Sequence, residues 1–237
     1  MNRDAVTGNP ISLIFPRSST TDDLLLSLTD VHHFFTKWPS PPEIFVPFLP
    51  LAEQALGKFP IKGLQLLNNA GLGYGAAVKE GLKRSRAEFC FVLDLPLEFA
   101  LADVFGAWME FESREDAAIV VGSRRLPASS SLREPSRVFW KIDNWLNSKL
   151  LTGAAGSSDL TTSFYGFRAE AVRPLIENVR DDGFSFSARL VREARKREVS
   201  VIEKPAHWNP VPQADWGRIA RDHFSLFKFG IESGSIL

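Results

Sequence analysis

Four arginines fall close together near the middle of the chain and could bind a phosphate group. Arginine carries a planar fork of N–H donors that matches phosphate and carboxylate oxygens, and it stays charged at physiological pH. The alternative is a flexible, solvent-exposed loop in which the same charges are hydrated. The four residues are Arg124, Arg125, Arg133 and Arg137.

Two acidic side chains could bind a divalent metal. Asp94 directly follows the apolar run Phe89–Leu93, and Glu98 lies four residues further along the chain. Carboxylate oxygens are the ligands that Mg²⁺ prefers in proteins. Pro96, however, makes Asp94 equally suited to an ordinary turn at the end of a strand. The residue types alone leave both interpretations open.

A glycine-rich turn beginning at Asn69 and containing Gly73 and Gly75 precedes a segment of helical period. Backbone N–H groups at the start of a helix can hold phosphate, but the same composition is typical of a tight turn that only caps the helix. The spacing does not match a Walker P-loop, and no Lys-Ser/Thr pair follows. These features argue against nucleotide hydrolysis.

Short apolar runs alternate with longer amphipathic segments through most of the chain. Strands are predicted at residues 11–15, 43–46, 64–67, 89–93, 117–121, 164–168 and 199–203. Helices are predicted at residues 20–35, 75–86, 100–111, 136–151, 170–179, 184–196 and 215–229. This alternation predicts one α/β domain over residues 1–237, with a mostly parallel sheet flanked by helices on both faces and a serine-rich active-site loop at 127–135.

Composition excludes several classes of function. The 237 residues include 28 basic and 28 acidic side chains, without the basic excess expected of a nucleic-acid binder. Cys90 is the single cysteine, which excludes an internal disulfide and predicts a cytoplasmic location. No apolar run approaches the ~20 residues of a membrane helix. The last predicted helix mixes aromatic and basic residues, which suits peripheral contact with a membrane or packing on the core.

Five segments, ordered along nearly the whole chain, resemble the family 2 glycosyltransferases, especially those that transfer sugar to dolichyl or polyprenyl phosphate. The resemblance implies a GT-A fold, a nucleotide-sugar donor held with Mg²⁺ or Mn²⁺, a lipid-phosphate acceptor and a location at the cytoplasmic face of a membrane. The segments are Asn69–Gly81, Ala87–Asp94, Val120–Arg125, Asp159–Ala171, and Gly183–Phe186 together with Val201–Trp208.

The resemblance also implies roles for individual residues. Asp94, Asn69, Gly73 and Gly75 correspond to the donor and nucleotide site, and the four arginines to the site of the acceptor phosphate. Asp159 corresponds to a base or organiser near the acceptor, although it could equally be a turn residue. In an active enzyme, the metal ligands would be Asp94, Glu98 and His207.

Three acidic positions of the family are missing. After the first strand the chain reads Pro16-Arg17-Ser18-Ser19, where the family has a glutamate. The second strand continues Val46-Pro47-Phe48-Leu49 in place of an Asp-Asp-Gly-Ser motif. The metal-binding Asp-x-Asp has become Asp94-Leu95-Pro96, and proline supplies neither a metal ligand nor a backbone donor.

Two hypotheses follow from these departures. The favoured one is a degenerate glycosyltransferase that needs no metal and has a binding or regulatory role with an unknown protein partner. The alternative is an active, inverting transferase that moves a sugar from a nucleotide-diphosphate donor to a polyprenyl phosphate or a similar acceptor.

Overall fold

The computed structural model describes residues 11–17, 21–36, 38, 40–47, 61–67, 73–131, 137–151, 159–209 and 216–232. Within these ranges the strands are β1 (Ile11–Ile14), β2 (Glu43–Pro47), β3 (Leu64–Leu67), β4 (Phe89–Val92), β5 (Ala117–Ser123), β6 (Ser130–Ser131), β7 (Tyr165–Arg168), β8 (Ser200–Pro205) and β9 (His207–Trp208). The helices are α1 (Thr21–Phe35), α2 (Tyr74–Arg84), α3 (Leu101–Ser113), α4 (Arg137–Leu151), α5 (Ala169–Ile176), α6 (Phe186–Lys196) and α7 (Trp216–Glu232).

Seven of the described strands form one sheet in the order β3-β2-β1-β4-β7-β5-β8. β7 runs antiparallel to its neighbours β4 and β5, and the other pairs are parallel. The carboxyl ends of the parallel strands therefore meet at one edge, where β7 begins. We call this the carboxyl edge.

The central strands are buried on both faces, as their continuous apolar sequence requires. Every residue of β4 and β5 is buried. Successive side chains point to opposite faces, so Ile119 and Val121 join one core cluster while Val120 joins the other. The first cluster includes residues of α2, α5, α6 and α7, and the second residues of α1 and α3. The predicted mostly parallel sheet with helices on both faces is confirmed.

A small second sheet differs from the sequence-based expectation. Ser130–Ser131, predicted as part of a serine-rich loop, pairs in parallel with His207–Trp208. A strand of two residues is too short to show a hydrophobic periodicity. Its pairing depends on how distant segments of the chain meet, so the sequence contains no local signal for it. None of the described helices is both long and apolar enough to cross a membrane.

Candidate functional site

The carboxyl edge brings together polar residues that lie far apart in the sequence. Arg17 follows β1, Asp94 follows β4, Arg124 directly follows β5, and Asp159 lies shortly before β7. The neighbouring positions of β1 and β4 in the sheet explain why Arg17 can reach Asp94. The edge contains two charge clusters, one around Arg17 and one around Arg124.

Arg17 clamps the carboxylate that was predicted to bind metal. Its Nε and Nη2 atoms both donate to Asp94 Oδ2, at 2.8 and 2.5 Å, and Nη1 donates to Asp222 Oδ2 on α7 at 2.6 Å. The Asp94 side chain is 1% exposed and that of Arg17 20%. The positive charge next to Asp94 therefore comes from the side chain of Arg17.

Two aromatic rings hold the Arg17 guanidinium in place. Its Cζ lies 5.1 Å from the ring centroid of Tyr74 and 4.7 Å from that of Phe184, which suits cation–π attraction. Burial alone would lower the pKa of Arg17, but the carboxylates of Asp94 and Asp222 outweigh burial and raise this pKa above its usual value. The guanidinium is thus permanently charged.

The residues present do not fit a divalent metal at Asp94. Oδ2 accepts two N–H bonds from a cation, while Oδ1 is buried and has no hydrogen-bond partner among the described residues. Across the described part of the chain, no group of three or more His, Cys, Asp and Glu side chains could hold a metal ion. Asp94, Glu98 and His207 are therefore not brought together as a ligand set.

Glu98 and His207 have other neighbours. Glu98 Oε2 accepts a hydrogen bond of 3.3 Å from the Ser163 hydroxyl. His207 is 58% exposed at its side chain, and its Nδ1 lies 2.8 Å from Asp103 Oδ1. The same carboxylate accepts the His207 backbone N–H at 2.7 Å. Asp103 thus fixes the start of β9.

Arg124 and Asp159 form a multiply bonded pair. Arg124 donates from Nε to Oδ2 and from Nη2 to Oδ1 of Asp159, both at 2.7 Å, and its backbone N–H adds a bond of 3.0 Å. Nη2 also donates to the Thr161 hydroxyl at 2.7 Å. The Trp208 ring lies against the guanidinium, 5.2 Å from centroid to Cζ. The Arg124 side chain is only 5% exposed.

Asp143 on α4 neutralises the second arginine of the predicted phosphate site. Arg125 Nη2 donates to Asp143 Oδ2, which also lies 3.2 Å from Arg124 Nη2. Burial would raise the pKa of Asp143, but Arg124 and, to a smaller extent, His223, Thr161 and Arg125 lower it to about 2. Two arginines and two aspartates therefore form a buried, charge-balanced cluster.

Helix α7 reaches both clusters through adjacent residues. Asp222 contacts Arg17, and His223 Nε2 lies 3.8 Å from Asp143 Oδ1. Leu226 and Phe229, further along the helix, are buried in the core. Charged contacts of Asp222 and His223, together with the burial of Leu226 and Phe229, therefore hold α7 at the carboxyl edge.

The glycines of the predicted nucleotide turn serve close packing in this structure. Gly73, the residue before α2, has a φ of 91°, which favours glycine. A Cβ on Gly75 would lie 2.7 Å from Phe186 Cβ and 2.8 Å from the Asp181 carbonyl oxygen, and the Gly75 N–H donates to the Asp182 carbonyl. The turn therefore lets the 181–183 loop approach α2.

Three predicted site residues cannot be placed. Asn69 and Arg133 lie outside the described residues, as does the side chain of Arg137. The assigned roles of these residues, and those of Asp94, Asp159, Arg124 and Arg125, remain predictions.

Sequence reasoning missed Arg17, Asp143 and Asp222 as members of the site. Arg17, a basic residue three positions after β1, could have been noticed, since β1 and β4 end at the same edge of the sheet. Asp143 and Asp222 carry no comparable signal, because acidic residues on amphipathic helices usually face solvent.

The chain is similar in sequence to dolichyl-phosphate β-glucosyltransferases of Trichomonas vaginalis. It is 32% identical to one of them over 163 residues, covering 62% of this chain and 45% of that protein. A second is 29% identical over 155 residues, covering 62% of this chain and 46% of that protein. The chain thus spans about half the length of the curated relatives it matches. No protein-family model matches it.

Solved structures show the same fold at low sequence identity. Mannosyl-3-phosphoglycerate synthase from Rubrobacter xylanophilus superposes with a TM-score of 0.67 at 13% identity, covering 97% of this chain and 76% of that one. Glucosyl-3-phosphoglycerate synthase from Mycobacterium tuberculosis, in complex with Mn²⁺, UDP and glucosyl-3-phosphoglycerate, gives 0.62 at 13% identity, covering 94% and 80%. The chain therefore has the GT-A fold, and its predicted resemblance to the family 2 glycosyltransferases is confirmed.

Proposed function

We propose that this protein is a degenerate glycosyltransferase that has a binding or regulatory role and does not carry out metal-dependent sugar transfer. The observation that carries the proposal is the Arg17 guanidinium on Asp94 Oδ2, at 2.5 and 2.8 Å. Asp94 is the surviving carboxylate of the motif that resembles the family's metal site, and its partner position is Pro96.

Electrostatics favour this proposal. At an effective dielectric constant of about 20, a divalent cation ~4 Å from a guanidinium is repelled by about 8 kcal/mol. Binding a metal at Asp94 would also require two charge-assisted hydrogen bonds to be broken in a site that is almost fully buried. The chain's own cation therefore competes with Mg²⁺ or Mn²⁺ for the same oxygen.

The acceptor end supports the same conclusion. Donors of Arg124 and Arg125 that could hold an acceptor phosphate are bonded to Asp143 and Asp159. A phosphate would have to displace carboxylates from a buried cluster in which charge is already balanced. Such clusters lose several kcal/mol when one partner is removed.

A second candidate is a transferase that works without metal. It is favoured by the place of Arg17, whose permanent charge lies beside the residue that resembles the family's metal ligand. Here Arg17 would neutralise the leaving nucleoside diphosphate of a sugar donor. Asp159 would organise attack of an acceptor phosphate, such as dolichyl or polyprenyl phosphate, on the sugar with inversion.

Calorimetric titration separates the two candidates. The purified chain is titrated with UDP, GDP and their glucose and mannose conjugates, once with Mn²⁺ and once with EDTA, and sugar transfer to dolichyl phosphate is measured in parallel. We expect no Mn²⁺-dependent binding and no transfer. Mn²⁺-dependent binding that Asp94→Ala abolishes would refute the proposal.

A comparison of Arg17→Ala with Arg114→Ala tests the second candidate, the transferase that works without metal. Arg114 is exposed and contacts only Asp116 across 3.7 Å among its described ion pairs, so its variant is a control for loss of one positive charge. Transfer in EDTA that is kept in Arg114→Ala and lost in an Arg17→Ala variant shown by circular dichroism to be folded would establish the metal-independent enzyme instead.

A further inference from the structure

Two neighbouring helices carry most of the exposed apolar side chains. Among the described residues, seven large apolar side chains are exposed, and four of them belong to α4 and α7. An apolar side chain on the surface is ordinary when it stands alone, whereas a contiguous group marks an interaction site. The four residues are Ile142, Trp145, Phe224 and Ile231.

These side chains form one surface. Trp145 of α4 stacks on Phe227 of α7, with ring centroids 6.1 Å apart, and this contact joins the two helices. Ile142 lies three residues before Trp145, and Phe224 lies three residues before Phe227, so each lies beside that neighbour on the same helix face. Ile231 follows Phe227 by four residues and continues the face of α7. We call these five residues the apolar patch.

Packing on the core accounts for only one side of α7. Leu226 and Phe229 are buried, whereas Phe224 is 69% exposed. At about 100° per residue, Phe224 and Leu226 point in nearly opposite directions from the helix axis. A helix that only covered the core would carry polar residues on its outer side. The apolar residues on the outer side of α7 therefore suit a second contact, made outside the core.

The apolar patch is bordered by positive charge. Lys141 and Lys228 are exposed. Lys141 lies four residues before Trp145, and Lys228 lies four residues after Phe224, so each is next to an aromatic residue of the patch. Arg221 is also exposed and lies three residues before Phe224, although it has a further interaction within the chain. Aromatic and basic side chains thus alternate on this surface.

Carboxylates on the same two helices leave the surface positive. The side chains of Asp143 and Asp222 belong to the charge clusters and are only 1% and 17% exposed. Glu232 is the remaining carboxylate of the described parts of α4 and α7. It accepts a hydrogen bond from Arg189 and lies 3.9 Å from Lys228. The three exposed basic side chains therefore outnumber the one exposed carboxylate.

We infer that the apolar patch docks this protein on the surface of a membrane that contains anionic lipids. Aromatic side chains favour the boundary between headgroups and acyl chains, and basic side chains beside them attract anionic headgroups. A symmetric contact with a second copy is disfavoured, because it would bring the basic side chains of both copies together. The inference does not depend on the function proposed for the carboxyl edge, since no residue of the apolar patch belongs to the charge clusters.

The test is co-sedimentation of the purified chain with vesicles of phosphatidylcholine, alone or mixed with phosphatidylglycerol. We expect binding to the mixed vesicles that weakens as the salt concentration rises. Ile142→Ala/Phe224→Ala should weaken this binding at least about tenfold. All four side chains replaced in this variant and its control are exposed, so both should keep their fold, which circular dichroism checks. The control, Leu26→Ala/Met109→Ala, should bind like the unaltered chain.

The control is matched in exposure and differs in position. Leu26 and Phe224 are both 69% exposed, and Met109 and Ile142 are 46% and 47% exposed. Leu26 and Met109 belong to α1 and α3, which cover the opposite face of the sheet from α7. A difference between the two variants therefore reports the apolar patch and not exposed apolar surface in general.

A second pair of variants tests the positive charge. Lys141→Gln/Lys228→Gln should weaken binding to the mixed vesicles about tenfold or more. Lys62→Gln/Arg114→Gln removes two exposed charges elsewhere and should bind like the unaltered chain.

Several results would overturn the inference. One is the absence of binding to either kind of vesicle, and another is equal weakening in the patch variants and their controls. Loss of binding in the lysine variant alone would show adsorption by charge without contact of the apolar patch. Self-association in sedimentation velocity that Ile142→Ala/Phe224→Ala abolishes, without vesicle binding, would assign the patch to a second copy of the chain.

Discussion

Replacement of Arg17 by methionine tests the central contact of the carboxyl edge. Methionine fills a similar volume but leaves Asp94 as an unpaired carboxylate that is 1% exposed. Removal of one partner from a buried ion pair costs about 3–5 kcal/mol. The contact with Asp222 lies nearer the surface and adds about 1 kcal/mol or less. Since typical domains have stabilities of about 5–15 kcal/mol, Arg17→Met should consume a large part of the total.

Urea denaturation followed by circular dichroism measures this loss. Arg114→Met is the matched control, because its ion pair is exposed and long at 3.7 Å, and it should change the free energy of unfolding by less than about 0.5 kcal/mol. Adding Asp94→Asn to Arg17→Met removes the stranded charge and should recover part of the lost stability.

Two results would refute the reasoning. If Arg17→Met unfolds within about 1 kcal/mol of the unaltered chain, Arg17 is not a structural counter-ion of Asp94. If the Asp94→Asn substitution makes Arg17→Met less stable still, the unpaired carboxylate is not the cause of the loss. Mn²⁺ titration of Arg17→Met adds an independent readout, since removing the competing cation should raise metal affinity at Asp94.

Three further predictions follow from other buried groups. The pKa of Asp143 in the folded state is lowered from 3.8 to about 2. Its ionisation therefore stabilises the fold by about 2 kcal/mol above pH 4, and this stabilisation is lost as the pH falls towards 2. Asp143→Asn should flatten this part of the curve of unfolding free energy against pH, measured by urea denaturation. Gly75→Ala should destabilise the fold by about 1–3 kcal/mol in thermal unfolding, because the added Cβ would meet Phe186 and the Asp181 carbonyl at under 3.0 Å; an unchanged melting temperature would contradict this. Burial raises the pKa of Cys90 to about 11, so a thiol reagent should label it only after denaturation; rapid labelling of the folded chain would show that β4 opens.

The architecture could be predicted from the residues of each segment. Continuous apolar runs such as Phe89–Val92 are typical of strands covered on both sides, and amphipathic segments between them predict the covering helices. The ordered motifs also predicted the resemblance to family 2 glycosyltransferases. These inferences succeed because burial and periodicity are local properties that each segment carries in its own residues.

The pairing of the charged side chains, in contrast, depends on the three-dimensional arrangement of the strands and helices. Arg17 and Asp94 are separated by 77 positions and Arg17 and Asp222 by 205, and they become neighbours because β1 pairs with β4 and α7 crosses the same edge. Arg124 and Arg125 are predicted from the sequence to bind phosphate, and the fold adds Asp143 of α4 as a partner of both. The type of a charged side chain indicates which groups it can bind. Its actual partner depends on strand order and helix placement, because a buried charge that is left unpaired is strongly destabilising.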